Sequence, residues 1–516
     1  MVKLLIYAKT KFLKHKSLII NTLSTIKMKK LLIITCFLFT QVSYAQTILK
    51  AEALQADFEI VRKSYEQMHP GLYKYQPKAT IDKAFETCKA ALNKDQTLAE
   101  AYLNFHKLTS TFKCGHAYPN FFNQEEFLKK ELFEQKNALP FHFKLVGNRM
   151  LVFRSNDEGI IDGTEIKSIN GVKVEKIVKT MLPIVRADGS NDGKRRSLLE
   201  NGKEYFGYFD VFFPMFFPMK NTEYDLEIYD FDSKKQTKKS VLAVNHAERD
   251  KAIKAKYKNA GYIKMAFSWL DSQTAIMTIN DFNNYNGKAK YDSFYVAALN
   301  EYKAKNGKNL IIDVRKNEGG NSSEMFKLVP YLIEKPIVYV ELQNTWQMLK
   351  IDSTLKPYVD NKKWAFVWFN QKEAGYEKTP MGQWKGKGAE NPQIFQPNKE
   401  RFSGNIYLLS SPTNSSATYM MVQTFKKNEL ATVVGQTTGG NQKGVTAGAM
   451  FFMLLPNTKI EVDVPLIGTD LITAKNLPDT GITPNIYVKP NINDVIKGID
   501  TEMAVVKKLI AEKSKK

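Results

Sequence analysis

The chain has 516 residues, of which 43% are hydrophobic and 25% are charged, and its formal net charge is +22. This composition excludes a disordered or fibrous protein, and the length exceeds what one hydrophobic core serves, so we expect two or three domains. The basic residues are spread along the chain without a nucleic-acid-binding motif, which argues against a nucleic-acid partner.

The N-terminal segment has the pattern of an export signal. Residues 28–30 read Met-Lys-Lys, residues 31–39 are apolar, and residues 43–45 read Ser-Tyr-Ala, a small-residue cleavage site. We expect residues 1–45 to be a leader whose translation starts at Met28, and the mature protein to reach the periplasm, the cell envelope or the extracellular space. The apolar run is short for a bilayer, so no stable membrane span is expected after cleavage.

The rest of the chain divides by its hydrophobic periodicity. Residues 47–135 carry apolar residues at helical spacing, and residues 136–250 hold short strand-like runs, including FHFKLVG, MLVFR, VKVEKIV and TEYDLEIYD. In residues 255–495, short apolar strands alternate with helical segments, which predicts an α/β domain with a central sheet. A C-terminal helix and a basic tail are expected over residues 496–516.

The most informative stretch is a strand, a polar turn and a helix that begins at Ser416-Ala417. The strand is Ile406 to Leu409, and a second strand, Ala431 to Val434, leads into the loop GQTTGG. Serine at a helix start is an ordinary N-cap. The same position also offers unpaired backbone N–H groups, beside which a nucleophile can act.

A similar unit lies about a hundred residues earlier. The strand NLII runs into residues 313–320, DVRKNEGG, and a helix is predicted to start near Ser322. The paired glycines allow backbone N–H groups to approach a ligand closely, although a plain strand-to-helix turn has the same pattern. His116 lies in the turn Lys-Cys-Gly-His-Ala that follows a helical segment, where a structural or solvated histidine is the alternative to a catalytic base.

Cysteine usage leaves two alternatives open. Cys88 and Cys114 remain after the leader is removed, and they form either a disulfide or two buried free thiols. Cysteines and histidines have no zinc-ligand spacing along the sequence, so neither a metal nor a cofactor is expected.

The ordered set of motifs resembles the tail-specific, or C-terminal processing, serine peptidases, nearest their tricorn-core and retinoid-binding-protein-like branch. In that family a D-x-R-x-N-x-G-G strand end is followed by a serine in an S-A turn and a G-E-x-T-x-G loop. Residues 481–485, GITPN, stand in for the family's late G-I-x-P-D stretch. The resemblance implies a crotonase-like α/β catalytic domain, an exported serine endopeptidase and a peptide or protein substrate.

The resemblance also implies roles for individual residues. Ser416 matches the nucleophile and His116 the general base. Gly319 or Gly320, together with the N–H of Ala417, matches the oxyanion donors.

Residues 163–174, GTEIKSINGVKV, resemble the PDZ-like module of these peptidases, so residues 136–250 are expected to form a PDZ-like β domain. In the family this module captures substrate ends by strand addition, and a purely structural module is the alternative here.

Departures from the family pattern keep alternatives open. Many relatives use a lysine as the base, and Lys443 could take that role in a Ser416/Lys443 dyad, although Asn441 falls at the equivalent spacing. Asp479 is the candidate acid that orients the base. Glu461 and Asp463 are the rival candidates for this third member of the catalytic triad.

A catalytically weak or inactive peptide- or small-molecule-binding protein on the same fold is the second hypothesis. The oligomeric state does not follow from the sequence.

Overall fold

The computed structural model describes residues 47–202, 207–257, 262–284, 287–339, 342–360, 372–388, 394–471 and 476–515. The predicted leader, residues 1–45, lies outside the described residues. Among the helices that the structure describes, none is long and apolar enough to cross a membrane.

The described part of the chain begins with a helical region, in agreement with the helical periodicity of the sequence. A capping box at Thr97 and Glu100 starts the third helix, where each side chain accepts a hydrogen bond from the other residue's backbone N–H. The helices are α1 (Ala51–Met68), α2 (Lys78–Ala91), α3 (Leu98–Ser110) and α4 (Glu126–Leu132), and the short strands β1 (Ile48–Leu49) and β2 (Gln96–Thr97) pair antiparallel beside them.

An antiparallel sheet follows, in the spatial order β3-β4-β5-β7-β8, with β6 paired to β5. Its strands are β3 (Phe141–Val146), β4 (Arg149–Ser155), β5 (Glu165–Ile169), β6 (Val172–Lys173), β7 (Glu223–Asp230) and β8 (Lys235–Leu242). Four helices accompany the sheet: α5 (Val174–Met181), α6 (Asp192–Leu199), α7 (Tyr208–Phe216) and α8 (His246–Lys256).

The predicted strand VKVEKIV was wrong over most of its length. Residues Val174–Met181 form the helix α5, because Val174, Ile177, Val178 and Met181 recur at i, i+3, i+4 and i+7 and are all buried on one face. The β-branched residues that suggested a strand are therefore the apolar face of a helix. The expectation of a PDZ-like module for this region stays a prediction.

The outer edge of β3 is covered by a segment of the same chain. The N–H of Phe143 donates to Oδ1 of Asn201 at 2.9 Å, and the N–H of Leu145 donates to Oε1 of Glu200 at 2.9 Å. Nδ2 of Asn201 in turn donates to the carbonyl of Phe141 at 3.2 Å. Side chains thus make the hydrogen bonds that an added strand would make at this edge.

The second half of the chain is built on a six-stranded sheet in the order β21-β18-β17-β11-β10-β9, parallel except for β9. Its strands are β9 (Met265–Trp269), β10 (Thr274–Ile279), β11 (Asn309–Asp313), β17 (Asn405–Ser410), β18 (Thr432–Gly435) and β21 (Ile486–Tyr487). The described helices of this half are α9 (Tyr291–Ala304), α10 (Ser322–Leu328), α11 (Ser416–Lys427), α12 (Ile492–Ile496) and α13 (Thr501–Lys513).

A third sheet has the order β14-β15-β13-β20-β19. Its strands are β13 (Leu342–Trp346), β14 (Tyr376–Lys378), β15 (Trp384–Gly386), β19 (Val445–Leu454) and β20 (Glu461–Leu471), while β12 (Ile337–Val338) pairs with β16 (Ile394–Phe395). Short 3₁₀ turns occur at residues 182–184, 329–331, 356–358 and 373–375.

Two large apolar cores hold these elements. One joins the N-terminal helices, the β3–β8 sheet and residues of β19 and β20, including Phe58, Phe141 and Phe451. The other surrounds the six-stranded sheet, including Ile312, Leu408 and Val422. The mixed α/β fold expected from the sequence is confirmed, and the boundaries between its predicted domains stay predictions.

Candidate active site

The two strand–turn–helix units recognised in the sequence lie side by side. Strands β11 and β17 are parallel neighbours, with Asp313 opposite Leu409. The carboxyl ends of parallel strands meet at one edge of a sheet, so the turn after each strand opens on the same side. Residues 314–320 and residues 411–415 therefore face each other at this edge.

Polar side chains join the two turns. Nδ2 of Asn414 donates to the carbonyls of Val314, at 2.6 Å, and Asn317, at 3.1 Å. Oγ of Ser415 donates to the carbonyl of Glu318 at 2.8 Å and makes no cap bond to the helix. The first of the two adjacent serines is thus engaged in holding the turns together.

Ser416 has a backbone conformation that is rare for a residue with a side chain. Its φ angle is +49°, in the left-handed region, at the first residue of α11. Such strain is found at functional sites, for example where a nucleophile is presented on a sharp strand-to-helix turn. Within the described part of the chain, we find no hydrogen bond to Oγ of Ser416.

The two glycines beside this serine differ in what their N–H groups do. Gly319 and Gly320 have φ angles of +120° and +129°, which glycine adopts readily. The N–H of Gly319 donates to Oδ1 of Asn317 at 2.9 Å. The N–H groups of Gly320 and Ala417 have no acceptor among the described residues, so both are available to an oxyanion.

A cleft of ≈ 200 Å³ opens at this edge and contains most of the predicted site. Its lining residues are His116, Tyr118, Asn120, Arg186, Asn283, Glu318, Gly319, Gly320, Ser415, Ser416, Met450 and Asp463. The fold therefore brings His116 and Ser416 into one cleft, although they are three hundred positions apart in the sequence.

The surroundings of His116 favour its neutral form. Burial is the main cause of its lowered pKa, and the cations Arg186 and Lys194 lower it further, while the carboxylate of Asp188 raises it. Its Nδ1 atom is buried and has no hydrogen-bond partner within the described structure. A neutral imidazole is the form in which histidine accepts a proton.

Asp188 is the acidic residue that the structure places beside His116, and the sequence analysis missed it. Its carboxylate is buried, and Oδ1 accepts a hydrogen bond from the N–H of Gly115 at 2.8 Å. The one local signal is the Asp-Gly turn that it forms with Gly189. No spacing rule connects that turn with His116, 72 positions earlier, because the two loops meet only through tertiary packing.

Asp479 lies against other partners. It accepts hydrogen bonds from the N–H of Ser190 at 3.0 Å and from Nδ2 of Asn441 at 2.7 Å. These bonds lower its pKa, although burial, the largest single influence, acts in the opposite direction. Its role as the acid that orients the base stays a prediction. The side chain of Lys443, the alternative base, is exposed and is not among the residues that line the cleft.

The two rival acids, Glu461 and Asp463, lie on β20, and Asp463 reaches the cleft. Its carboxylate is buried and accepts hydrogen bonds from Nδ2 of Asn120 at 2.9 Å and of Asn123 at 3.3 Å. Burial raises the pKa of Asp463 to about 7, and burial together with the charge of Asp463 raises that of Glu461 to about 8. Asp463 therefore adds to the cleft a carboxyl group that gains or loses a proton near neutral pH.

The charged residues of the cleft form a short network. Nζ of Lys194, which is buried, donates to Oε2 of Glu318 at 3.1 Å and to the carbonyl of Thr413 at 2.8 Å. Arg186 contacts the same Glu318 oxygen at 3.4 Å and lies over the ring of Tyr118. One buried ammonium thus connects the turn that carries Glu318 to the turn that carries Ser416.

Cys88 and Cys114 are both buried free thiols, so the second of the two alternatives for the cysteines applies. In the described part of the chain, one group of side chains could hold a metal ion, namely Cys114, His116 and Asp188. No metal was expected from the sequence, because its cysteines and histidines lack zinc-ligand spacing, and Asp188 joins the group only through the fold.

Comparisons with known proteins agree with this arrangement. Residues 273–488 match the family described as peptidase family S41. Mature CPAF in complex with lactacystin has a similar fold, with a TM-score of 0.62 and 13% sequence identity over 89% of this chain and 99% of that chain. Mature CPAF alone has a TM-score of 0.61 and 13% identity over 89% and 98% of the two chains. Comparison with curated protein sequences gives no significant match.

The structural likeness at 13% identity establishes the shared fold, and the family match covers both strand–turn–helix units. The resemblance to the tail-specific peptidases is thereby confirmed. Residues 273–488 carry the match to peptidase family S41, and the protein is a serine-type peptidase that acts on a peptide or protein substrate.

Proposed function

We propose that the protein is an exported serine endopeptidase in which Ser416 is the nucleophile and His116 is the general base. The observation that carries this proposal is the strained backbone of Ser416 at a helix start, in a cleft that it shares with His116. Serine is a weak nucleophile by itself and needs such a base within reach of its hydroxyl.

In the proposed reaction, Oγ of Ser416 attacks the carbonyl carbon of a peptide bond while its proton passes to His116. The N–H groups of Gly320 and Ala417 stabilise the negative charge that develops on the carbonyl oxygen. The C–N bond then breaks as His116 returns the proton to the leaving amine. Water then attacks the acyl-enzyme while His116 accepts its proton. The acid product leaves as His116 returns that proton to Oγ of Ser416.

Asp188 is our candidate for the acid that orients His116. Two features support it: the carboxylate lies beside the imidazole in a buried position, and the N–H of Gly115 fixes one of its oxygens. Asp188 and His116 do not hydrogen-bond to each other in this structure, and such contacts are often loose before substrate binds. Substrate binding is expected to tighten this contact.

Labelling with a fluorophosphonate, which reacts with activated serines, tests the nucleophile. Wild-type protein and Ser415→Ala should be labelled, whereas Ser416→Ala and His116→Ala should not. Ser415→Ala is the matched control, because Ser415 is the neighbouring serine with an engaged hydroxyl. Labelling that survives in Ser416→Ala, or that is lost in Ser415→Ala alone, would contradict the assignment. Digestion of casein by the same proteins tests endopeptidase activity.

Export is a separate part of the proposal and is based on the signal-like pattern of residues 28–45. Protein recovered from cells should begin at about residue 46 when its N-terminus is sequenced. An intact N-terminus at Met1 or Met28 would contradict export through a cleaved signal.

A further inference from the structure

Cys114, His116 and Asp188 form a compact group of three different ligand types beside the proposed nucleophile. Their candidate ligand atoms, one thiol sulfur, one ring nitrogen and one carboxylate oxygen, all lie within 4.8 Å of one another. Cys114 and Asp188 are buried, with exposed fractions of 3% and 2%, and His116 is partly buried. The group is therefore enclosed by protein on most sides.

The two loops that carry these residues are docked by several hydrogen bonds. Nη1 of Arg186 donates to the carbonyl of Gly115 at 2.8 Å, and the N–H of Gly189 donates to the carbonyl of Lys113 at 2.8 Å. Gly115 itself packs on the acid, since a β-carbon at that position would lie 3.1 Å from Oδ2 of Asp188. The three ligand side chains are thus held close together before any ion arrives.

One ligand atom of the group has no partner within the described structure, and a second has only weak ones. Nδ1 of His116 is buried without a hydrogen-bond partner in the described structure. Sγ of Cys114 makes a weak contact to the carbonyl of Thr446 at 3.6 Å and also lies beside the backbone N–H groups of His116 and Ala117, which suit a thiolate. A buried polar atom without a partner is costly, so an ion that binds Nδ1 of His116 offsets a cost already present in the fold.

We propose that Cys114, His116 and Asp188 bind a zinc ion, with water at the fourth position, and that zinc reversibly inhibits the peptidase. Sulfur, nitrogen and carboxylate oxygen are the ligands of zinc sites, and three protein ligands with one open position are common. Ligand atoms of a tetrahedral zinc ion lie about 3.3–3.8 Å apart, so movements of about 1 Å complete the site. The thiol proton is released to solvent as the Zn–S bond forms.

Inhibition follows from competition for one imidazole. A histidine bound to zinc cannot accept the proton of Ser416, and Asp188 cannot orient it at the same time. This regulatory part of the inference depends on the proposed role of His116, whereas the metal site itself does not.

The first test measures binding without activity. Co²⁺, which replaces zinc and has a visible spectrum, is titrated into the full mature chain carrying Ser416→Ala. We expect one equivalent to bind with a sulfur-to-cobalt charge-transfer band, and Zn²⁺ to displace it. The band should be lost in Cys114→Ala and kept in Cys88→Ala, whose buried free thiol lies in α2. Absence of the band from the chain with all its cysteines would overturn the site, whatever the folding of the variants.

The second test measures inhibition. Each protein is compared with its own metal-free rate on a peptide substrate, and folding is checked by circular dichroism. Zinc should inhibit wild type and Cys88→Ala, with recovery after addition of EDTA, and Cys114→Ala should need at least about tenfold more zinc. Equal inhibition of Cys114→Ala and wild type would overturn the inference. Fluorophosphonate labelling of the metal-free protein tests the proposed catalytic function separately. A failure of the zinc inference can therefore be distinguished from a failure of the proposed function.

Discussion

The backbone of Gly319 packs directly on the side chain of Ser416. A β-carbon added at Gly319 would lie 2.8 Å from Cβ of Ser416 and 2.8 Å from the carbonyl oxygen of Ser415. Atoms cannot approach so closely without movement of the backbone. The proposed nucleophile is therefore positioned by a neighbour that has no side chain.

This contact predicts the effect of Gly319→Ala. The new methyl group pushes the 317–320 turn away from α11 and moves the N–H of Gly320 from its proposed place beside the oxyanion. We expect kcat/KM on a peptide substrate to fall by on the order of 10²–10³-fold, as when an oxyanion donor is lost.

Gly171→Ala is the matched control, because Gly171 also has a positive φ, +76°, but open space at its β-carbon. It should cost about 1 kcal/mol of stability and leave kcat/KM near that of the native protein. Comparable rate losses in the two variants would show that backbone strain, and not the contact with Ser416, is responsible.

Asp188→Asn tests which acid supports the base. The amide keeps an oxygen for the N–H of Gly115 but carries no negative charge beside the imidazole. We expect kcat to fall by on the order of 10²–10⁴-fold with little change in the melting temperature. Asp479→Asn should have a much smaller effect, since that residue bonds to Ser190 and Asn441. A larger loss of kcat in Asp479→Asn than in Asp188→Asn would restore Asp479 as the orienting acid.

Lys194→Met tests the buried ammonium that connects the two turns. The substitution removes the hydrogen bonds to Glu318 and to the carbonyl of Thr413. We expect the free energy of unfolding to fall by about 2–4 kcal/mol, measured by urea denaturation. Lys443→Met is the control at an exposed lysine and should change stability by less than about 0.5 kcal/mol. Loss of peptidase activity in Lys443→Met would instead favour a Ser416/Lys443 dyad.

Glu461 and Asp463 predict a decrease of stability with rising pH. Their native pKa values are raised to about 8 and about 7, so the folded protein holds protons that the unfolded chain has already released. Their stabilising contribution is complete below their unfolded pKa values and is lost as the pH rises through 7 and 8. For each group, the free energy of unfolding should fall by about 1.4 kcal/mol per pH unit while the group is protonated in the folded protein and ionised in the unfolded chain, and the fall should end as the pH passes its native pKa.

The effect of Glu461 and Asp463 on stability is best measured between about pH 6.5 and pH 8.5. Below it, the buried His69 and His106, whose pKa is lowered to about 3, have the opposite effect because the unfolded chain gains protons there. The free energy of unfolding, measured by urea denaturation across this pH range, should change less with pH in Glu461→Gln than in the native protein. A free energy of unfolding of the native protein that stays constant or rises with pH over this range would contradict the prediction.

Local patterns in the sequence were sufficient to predict the strand–turn–helix units. The strands before residues 313 and 411 and the helix at Ser416 were confirmed, because apolar runs, turn residues and helix periodicity are all encoded within a few positions. Helix α5 was missed since its Val and Ile residues are also typical of strands. Asp188 was missed for a different reason, because its place beside His116 depends on how two distant loops pack.

The covered edge of β3 has a consequence for how a substrate can be chosen. A peptide that adds a strand there must first displace Glu200 and Asn201 and break three hydrogen bonds that the chain already makes with itself. Unless those bonds break, this edge cannot hold the free end of a peptide chain. We therefore expect the choice of the bond to be cut to depend on the residues around Ser416.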